Sequence, residues 1–346
     1  GIVDFLKDNN IRVFGPNRFA SQLEGSKAFM KKICEKKNIP TAKFGIFSTK
    51  IEAESFIDAS NTPIVVKADG LAAGKGVAIC KSKDEAKKEV NAILEGKFKS
   101  SKIVVIEEFL QGEELSYFVL TDGENFKFFG SAQDHKKVGE GDVGPNTGGM
   151  GAYSPSPLLT EEIEKKIKNK IIKPTLVAMK EMGRPYEGIL YAGLMIIKDE
   201  PFLIEYNIRM GDPECQALMI RLESDLLEII LSVLEKKINN IKINWSKKKS
   251  ITIVLCSKGY PIKYSSNKLI PNLNKINENE NCILFHAGTY SKDGKVFSNG
   301  GRVLNATSKG DTLVLARNNS VKIIQDIDWK DGFYRSDIGW RAINKK

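Results

Sequence analysis

Hydrophobic and polar positions follow two different periodicities along the chain, which predicts a mixture of helices and strands. Apolar residues recur with helical spacing in residues 83–94, 160–182 and 221–238. Short apolar runs bounded by turn residues predict strands. These runs are residues 64–67, 77–80, 103–107, 115–120, 194–197, 202–206, 251–256, 282–285 and 301–304.

The first residues have the pattern of a helix followed by a strand. Residues 2–6 show helical spacing, and residues 11–14 form a short apolar run that ends at Gly15-Pro16. A helix that leads into a strand is the second half of a βαβ unit. Because the chain begins with Gly1 and no strand precedes this helix, we expect residues 1–26 to be the remnant of a doubly wound domain. The polar segment 239–250 predicts a second boundary near residue 248.

Composition excludes several classes of protein. Charged residues make up 28% of the chain, apolar residues make up 41%, and no apolar run reaches the ~18 residues of a membrane span. The net charge is +10, but 44 of the 53 basic residues are Lys, whereas nucleic-acid interfaces favour Arg. The five scattered cysteines have no CxxC spacing, which argues against a disulfide framework and a thiolate zinc site. We therefore expect a cytoplasmic protein without nucleic-acid or membrane partners.

A glycine-rich segment, KADGLAAGKG at residues 67–76, joins two of the predicted strands. It is not a P-loop, since three residues rather than four separate Gly70 from Gly74 and no Ser or Thr follows Lys75. Backbone N–H groups of such a hairpin can still surround phosphates, with Lys67 and Lys75 supplying positive charge. The alternative is a surface hairpin with unrelated lysines.

The segment IEEFLQGEELS at residues 106–116 combines carboxylates with an apolar pair. An adenine requires an apolar slot, and its ribose hydroxyls suit a carboxylate acceptor. Taken alone, a glutamate-rich surface turn is the simpler interpretation.

The segment LIEYNIRMGDPE at residues 203–214 predicts a strand that presents Glu205, Asn207 and Arg209 on one face. Carboxylate and amide oxygens suit Mg²⁺, and Arg209 beside them can neutralise an anionic substrate. A cross-strand salt bridge on an exposed face is the alternative. The apolar neighbours of these residues favour a partly buried strand, in which bare charge requires a function.

Two further segments carry less chemical information. Residues 133–137 contain His135, which we expect to be a hydrogen-bonded structural residue. The glycine-rich segment 144–155 is predicted to be a loop, unsuited to any regular element, that packs its backbone against something small.

Taken in order, the lysine, the glycine-rich hairpin, the EEFL segment and the ExNxR strand resemble the ATP-grasp superfamily. Longer strings resemble one family within it, the phosphoribosylamine–glycine ligases, from Gly15-Pro16 to Arg341. These strings are residues 22–27, 67–76, 133–136, 144–155, 205–214 and 337–341.

The resemblance implies an α/β and α+β fold with three parts. These parts are the remnant of a doubly wound N-terminal domain at residues 1–26, an ATP-grasp domain at 27–248 with a flap at about 44–113, and a strand-rich C-terminal domain at 249–346. It also implies a reaction of de novo purine biosynthesis. ATP would phosphorylate glycine, and 5-phosphoribosylamine would then displace phosphate from the glycyl phosphate.

The resemblance assigns roles to individual residues. Lys67 and Arg209 would be catalytic, and Glu205 and Asn207 would bind Mg²⁺ or Mn²⁺, without an acidic ligand from the preceding strand. The ATP-binding residues would be Lys27, Lys67, Gly74, Lys75, Gly76, Glu107, Phe109, Leu110 and Glu114. The residues near glycine and phosphoribosylamine would be Asp134, Lys136, Asn146, Thr147, Gly148 and Asp212.

Two other functions stay open at this point. One is a different carboxylate–amine ligase, and the other is a nucleotide-binding fragment without turnover, because family members open with a strand and glycine-rich turn that this chain does not show. We expect a monomer whose partners are the small molecules ATP, glycine and 5-phosphoribosylamine.

Overall fold

The computed structural model describes residues 1–72, 76–99 and 101–344. Helices in these ranges are α1 Ile2–Asp8, α2 Gln22–Gly25, α3 Lys27–Lys37, α4 Lys50–Ala59, α5 Lys83–Leu94, α6 Glu161–Ile167, α7 Lys173–Glu181, α8 Glu214–Met219, α9 Leu226–Leu234, α10 Leu313–Ile327 and α11 Trp340–Asn344. Strands are β1 Phe44–Phe47, β2 Ile64–Ala68, β3 Val77–Cys80, β4 Val104–Glu108, β5 Glu113–Asp122, β6 Phe126–Asp134, β7 Lys137–Gly139, β8 Val143–Asn146, β9 Gly151–Ser154, β10 Glu187–Ile197, β11 Glu200–Asn207, β12 Lys249–Ser257, β13 Cys282–His286, β14 Thr289–Lys292, β15 Lys295–Ser298, β16 Arg302–Gly310 and β17 Gly332–Phe333.

The chain divides into two compact units. The first unit consists of Gly1–Phe128, Thr160–Arg209 and Ile230–Ile241, and the second consists of Phe129–Leu159, Met210–Ile229 and Lys242–Lys346. The three-domain division at residues 1–26, 27–248 and 249–346 stays a prediction. None of the helices in the described ranges combines the length and the apolar character that a membrane span requires.

A four-stranded antiparallel sheet in the first unit carries the glycine-rich hairpin. Its strand order is β1-β4-β2-β3, and β2 pairs with β3 in the register Lys67↔Val77. Helices α4 and α5 cover one face through Ile57, Val90 and Ile93, which pack on apolar side chains of β2 and β4. The predicted hairpin between residues 64–67 and 77–80 is therefore confirmed.

Strands β5, β10 and β11 form an antiparallel sheet that presents the ExNxR strand. The predicted strands 115–120, 194–197 and 202–206 are confirmed, although each is longer in the structure. The predicted helix at 160–182 is confirmed as α6 and α7, which a π-helical turn at Lys168–Ile172 joins.

The second unit has its core on both sides of β12. This strand pairs with β9 and β16, and β16 pairs with β13, all antiparallel. Helix α10 packs on this sheet through Ala316, Ile323, Ile324 and Ile327, all of which are buried. The three strands predicted after residue 248 are confirmed.

Two predictions of regular structure need correction. Residues 11–14 are not a strand, because no strand of the described residues pairs with them and Ile11 is half exposed. Within 221–238, only Leu226–Leu234 is α-helical. Helix α9 begins late because the Asp225 carboxylate accepts hydrogen bonds from the N–H groups of Leu227 and Glu228, at 2.7 and 3.3 Å.

The segment 144–155 is more regular than predicted. Gly151–Ser154 is strand β9, which pairs with β6 and β12, and Val143–Asn146 is strand β8, which pairs with β7. A Cβ at Gly151 would lie 2.6 Å from the Thr252 carbonyl oxygen, so the glycine allows the close approach of β12. The glycines thus serve sheet pairing as well as a turn.

Candidate active site

The base of the glycine-rich hairpin contains a buried cluster of charges. The Lys67 ammonium lies 2.8 Å from Glu107 Oε1, and the Lys31 ammonium lies 3.2 Å from Glu107 Oε2. All three residues are at most 5% exposed. Lys67, at the start of the hairpin, is therefore held in a defined position by Glu107 near the end of β4, as a phosphate contact requires.

The N-terminus of α3 contacts the same hairpin. Ser26 caps the helix by accepting a hydrogen bond from the Phe29 N–H at 3.0 Å, and its hydroxyl donates to Asp69. The Ala28 N–H also donates to Asp69 Oδ1, at 3.1 Å. The hairpin base is thus attached to a helix N-terminus, where backbone N–H groups favour anions.

Lys27 lies at this junction, and its ammonium donates to the Gly70 carbonyl oxygen at 3.1 Å. Burial lowers the pKa of Lys27, an effect that the carboxylate of Glu205 opposes and the ammonium of Lys67 reinforces. Three predicted site residues from distant parts of the sequence therefore share one electrostatic environment.

One face of the sheet formed by β5, β10 and β11 carries the predicted ribose and metal ligands. Cross-strand register places Ser116, Gly193 and Glu205 opposite one another, and Tyr191 lies opposite Asn207. Glu114 is two residues from Ser116 and shares its face. A Cβ at Gly193 would lie 3.3 Å from Glu205 Cγ, so glycine leaves the Glu205 side chain its space.

Arg209 lies just beyond β11 and contacts the predicted metal ligand. Its guanidinium donates to Asn207 Oδ1 at 3.2 Å and lies 3.3 Å from Glu24 Oε1. The other oxygen of Glu24 accepts a hydrogen bond from the Ile208 N–H at 2.9 Å. Glu24 on α2 therefore fixes the chain between Asn207 and Arg209.

The predicted adenine segment follows β4. Phe109 is 39% exposed and Leu110 is half-buried, while Glu108 is tied to Lys43 by hydrogen bonds of 2.9 and 3.0 Å. Gly76, at the far side of the hairpin, is buried, and its carbonyl oxygen accepts from the Ala68 N–H at 2.8 Å. Gly74 and Lys75 lie outside the described residues.

Two predicted substrate residues of the second unit, Asp212 and Gly148, contact Arg302. Its guanidinium makes a bidentate pair with the Asp212 carboxylate, at 3.0 and 2.6 Å, and donates to the Gly148 carbonyl oxygen at 2.8 Å. The Gly148 N–H donates to the Tyr260 hydroxyl at 3.0 Å.

The Thr147 hydroxyl donates to the Lys136 carbonyl oxygen at 2.9 Å. Asn146 is exposed at the end of β8, and Asp134 is half-buried at the end of β6.

His135 belongs to a buried structural cluster, as predicted. Its Nε2 accepts from the Gly339 N–H at 3.0 Å, so Nδ1 carries the proton that it shares with Asp142 Oδ1 at 3.2 Å. Arg335, 1% exposed, donates to both Asp142 and Asp337. Burial would raise the pKa of Asp142, but the hydrogen bonds from His135 and Arg335 outweigh burial and hold the pKa well below its usual range.

Comparison with known proteins decides the family. A family model described as phosphoribosylglycinamide synthetase, ATP-grasp (A) domain, matches residues 25–215, and one described as the C domain of the same enzyme matches residues 250–341. The chain belongs to the phosphoribosylglycinamide synthetase family. Its predicted ATP-grasp fold is thereby confirmed.

Relatives cover the whole chain. The phosphoribosylamine–glycine ligase of Brucella melitensis is 47% identical over 347 residues, which are 100% of this chain and 81% of the relative. The chloroplastic phosphoribosylamine–glycine ligase of Arabidopsis thaliana is 48% identical over 352 residues, covering 100% of this chain and 66% of that protein. The crystal structure of the Thermotoga maritima phosphoribosylamine–glycine ligase is 34% identical, with a TM-score of 0.88, and covers 98% of this chain and 84% of that one.

Family membership does not by itself identify the supporting residues that the sequence analysis missed. Lys31, Glu24 and Arg302 were not singled out, yet each contacts a predicted site residue. Lys31 had one local signal, since a lysine four residues after Lys27 lies on the same side of α3. Glu24 lies within the quoted string 22–27, whereas Arg302 gave no signal beyond its predicted strand.

Proposed function

We propose that the protein is an ATP-dependent carboxylate–amine ligase that joins glycine to 5-phosphoribosylamine, giving glycinamide ribonucleotide, ADP and phosphate in purine biosynthesis. The observation that carries this proposal is the 47% identity, over the whole chain, to the phosphoribosylamine–glycine ligase of Brucella melitensis. Lys27 and Lys67 would supply the positive charge, and Glu205 and Asn207 the oxygen ligands, that such a reaction requires.

The first unit would bind ATP and stabilise the transferring phosphoryl group. Lys27 and Lys67 would contact the phosphates, and Arg209 would neutralise charge that develops when the glycine carboxylate attacks the γ-phosphate. Phe109, Leu110 and the backbone of Glu107 would frame the adenine, while the Glu107 carboxylate pairs with Lys67. Glu114 would accept a hydrogen bond from the ribose. A carboxylate has no good leaving group, so glycyl phosphate formation activates it for attack by the amine.

The donor set fits a hard divalent cation. Glu205 supplies carboxylate oxygens and Asn207 supplies an amide oxygen on one sheet face, both suited to Mg²⁺ or Mn²⁺. When held by Glu205 and Asn207, such a cation would offset the negative charge of the nucleotide phosphates. Arg209 donates to Asn207 Oδ1, and that oxygen keeps a second lone pair for a cation.

The second unit would hold glycine and phosphoribosylamine. Asp134 and Lys136 lie at and just beyond the end of β6, and Asn146, Thr147 and Gly148 lie at and just beyond the end of β8. Arg302 joins Gly148 to Asp212. Backbone N–H groups and fixed charges of this kind suit an amino acid and a sugar phosphate. Their assignment to either substrate is part of the proposal.

One assay tests the proposed reaction. Phosphate release is measured with ATP and Mg²⁺, with glycine, and with or without phosphoribosylamine. We expect release that depends on both substrates, together with glycinamide ribonucleotide as product. Release with another acid and amine instead would favour a different ligase, and ATP binding without release would favour a nucleotide-binding protein. Size-exclusion chromatography would test the proposed monomer, and cell fractionation would test the proposed cytoplasmic location.

A further inference from the structure

Lys31 is a buried ammonium that the proposed reaction does not use. It lies in the middle of α3 with 0% exposure and is oriented by the Thr41 hydroxyl, to which it donates at 2.7 Å. The Thr41 hydroxyl in turn donates to the Leu203 carbonyl oxygen at 2.6 Å. The ammonium also lies 5.2 Å from the centre of the Phe44 ring. Its position is therefore determined from several sides.

The partner of Lys31 is shared with a proposed phosphate ligand. Glu107 directs Oε2 toward Lys31, at 3.2 Å, and Oε1 toward Lys67, at 2.8 Å. The Lys67 ammonium has three N–H donors, and its contact with Oε1 uses at most one of them. Lys67 therefore keeps donors for another acceptor.

The three charges do not cancel. Two ammonium groups face one carboxylate, which leaves one positive charge among three buried residues. A buried surplus charge is costly unless an opposite charge joins it, and a nucleotide phosphate would supply that charge. Without Lys31, Glu107 would neutralise Lys67 completely.

We propose that Lys31 is a positioning residue for nucleotide phosphates, acting through Glu107. By occupying one carboxylate oxygen, it prevents Glu107 from neutralising Lys67, and it holds that carboxylate where it orients the Lys67 side chain. This inference rests on the proposed nucleotide site, since Lys67 is taken to face the phosphates there.

The test measures binding of ADP and of adenosine to the full chain by calorimetry, in buffer with a chelator so that no divalent cation contributes. Lys31→Met should weaken ADP binding about tenfold, because the local charge falls from one positive to zero. Adenosine, which lacks phosphates, should bind within about twofold of the parent, since an electrostatic change of this kind acts on charge. The double variant Lys31→Met/Glu107→Gln restores one positive charge and should recover most of the lost ADP affinity.

A matched control lies on the same helix. Lys37 pairs with Glu181 at 2.6 Å on the surface, and Lys37→Met should leave ADP affinity unchanged. If Lys31→Met does not fold, Glu107→Gln and the double variant decide, and the double variant should bind ADP more weakly. The inference would be overturned if Lys31→Met lost ADP and adenosine affinity equally. It would also be overturned if Glu107→Gln and the double variant bound ADP with equal affinity.

Failure of the proposed function gives a different result. If the parent does not bind ADP, or if Lys67→Met binds it as tightly as the parent, the nucleotide site is wrong and the role of Lys31 falls with it. If Lys67→Met weakens ADP while Lys31→Met leaves both ligands unchanged, only the role of Lys31 is wrong.

Discussion

Lys67 and Glu205 belong to two different sheets of the first unit, yet both influence the charge of Lys27. Lys67→Ala and Glu205→Gln should each lower kcat by about 10²–10³, because each removes charge from the place where phosphoryl transfer develops it. Steady-state kinetics at saturating ATP measures the effect, with circular dichroism as the folding control. Activity within threefold of the parent would contradict the assignment.

His135 predicts a pH dependence of stability. Burial lowers the pKa of His135, although the Asp142 carboxylate opposes that shift. The unfolded chain therefore binds the proton more tightly, and stability from the neutral ring is complete above the ordinary pKa of ~6.5 and is lost as pH falls below it. His135→Gln should reduce the loss of unfolding free energy between pH 7 and pH 5. The measurement compares the unfolding free energy of parent and variant at both pH values.

Tryptophan fluorescence can follow that unfolding, because Trp245, Trp329 and Trp340 are the three tryptophans of the sequence and all lie in the second unit. Asp142 should add a second loss below its ordinary pKa of ~3.9, since its pKa is lowered in the folded protein. If the unfolding free energy of the parent and of His135→Gln depended on pH in the same way, His135 would not change its protonation on unfolding.

At the scale of elements, the alternation of β5 separates two adjacent glutamates. Glu114 shares a face with Ser116, whereas Glu113 is on the opposite face. Glu114→Ala should weaken ADP binding by about 1–3 kcal/mol through loss of a ribose acceptor. Glu113→Ala is the matched control, and Phe109→Leu should also have little effect, since backbone atoms would recognise the adenine. Calorimetry measures the ADP affinity of each variant. If Glu113→Ala lost affinity and Glu114→Ala did not, Glu113 would be the ribose acceptor instead.

Helix α2 and the end of β11 are joined through Glu24, which offers two separable interactions. Glu24→Gln keeps an acceptor for the Ile208 N–H but loses the ion pair with Arg209, so kcat should fall about threefold to tenfold with stability nearly unchanged. Glu24→Ala should also lower the unfolding free energy by about 1–3 kcal/mol, because a part-buried N–H loses its acceptor. The exposed pair of Glu181 provides Glu181→Gln as a control, and equal kcat for all three variants would contradict the role.

Elements with strong local patterns could be predicted, and elements that depend on distant partners could not. Helix α5 and strand β3 have the predicted bounds because their apolar periodicity and turn residues are local. Residues 11–14 have the composition of a strand without a partner, and β9 depends on partners that glycine allows to approach. Lys31 and Glu24 acquire meaning only when folding brings Glu107 and Arg209 beside them.

At the scale of the whole molecule, predicted nucleotide residues lie in the first unit and predicted glycine and phosphoribosylamine residues lie in the second. Arg302→Met should therefore raise the KM for phosphoribosylamine by about tenfold, because Asp212 and the Gly148 carbonyl lose a charge-assisted partner. The affinity for ADP should stay unchanged. A parallel loss of ADP affinity would show that the two sets of residues are not energetically separate.

The first unit is assembled from three stretches of chain, and this has a consequence during synthesis on the ribosome. Its last stretch, Ile230–Ile241, is made about a hundred residues after Phe128, which at about 5–20 residues per second is a delay on the order of ten seconds. Throughout that interval the apolar surfaces of an unfinished unit remain open to aggregation and to chaperones. Synonymous codons that slow translation between residues 129 and 229 should therefore lower the soluble yield more than the same codons placed after residue 241.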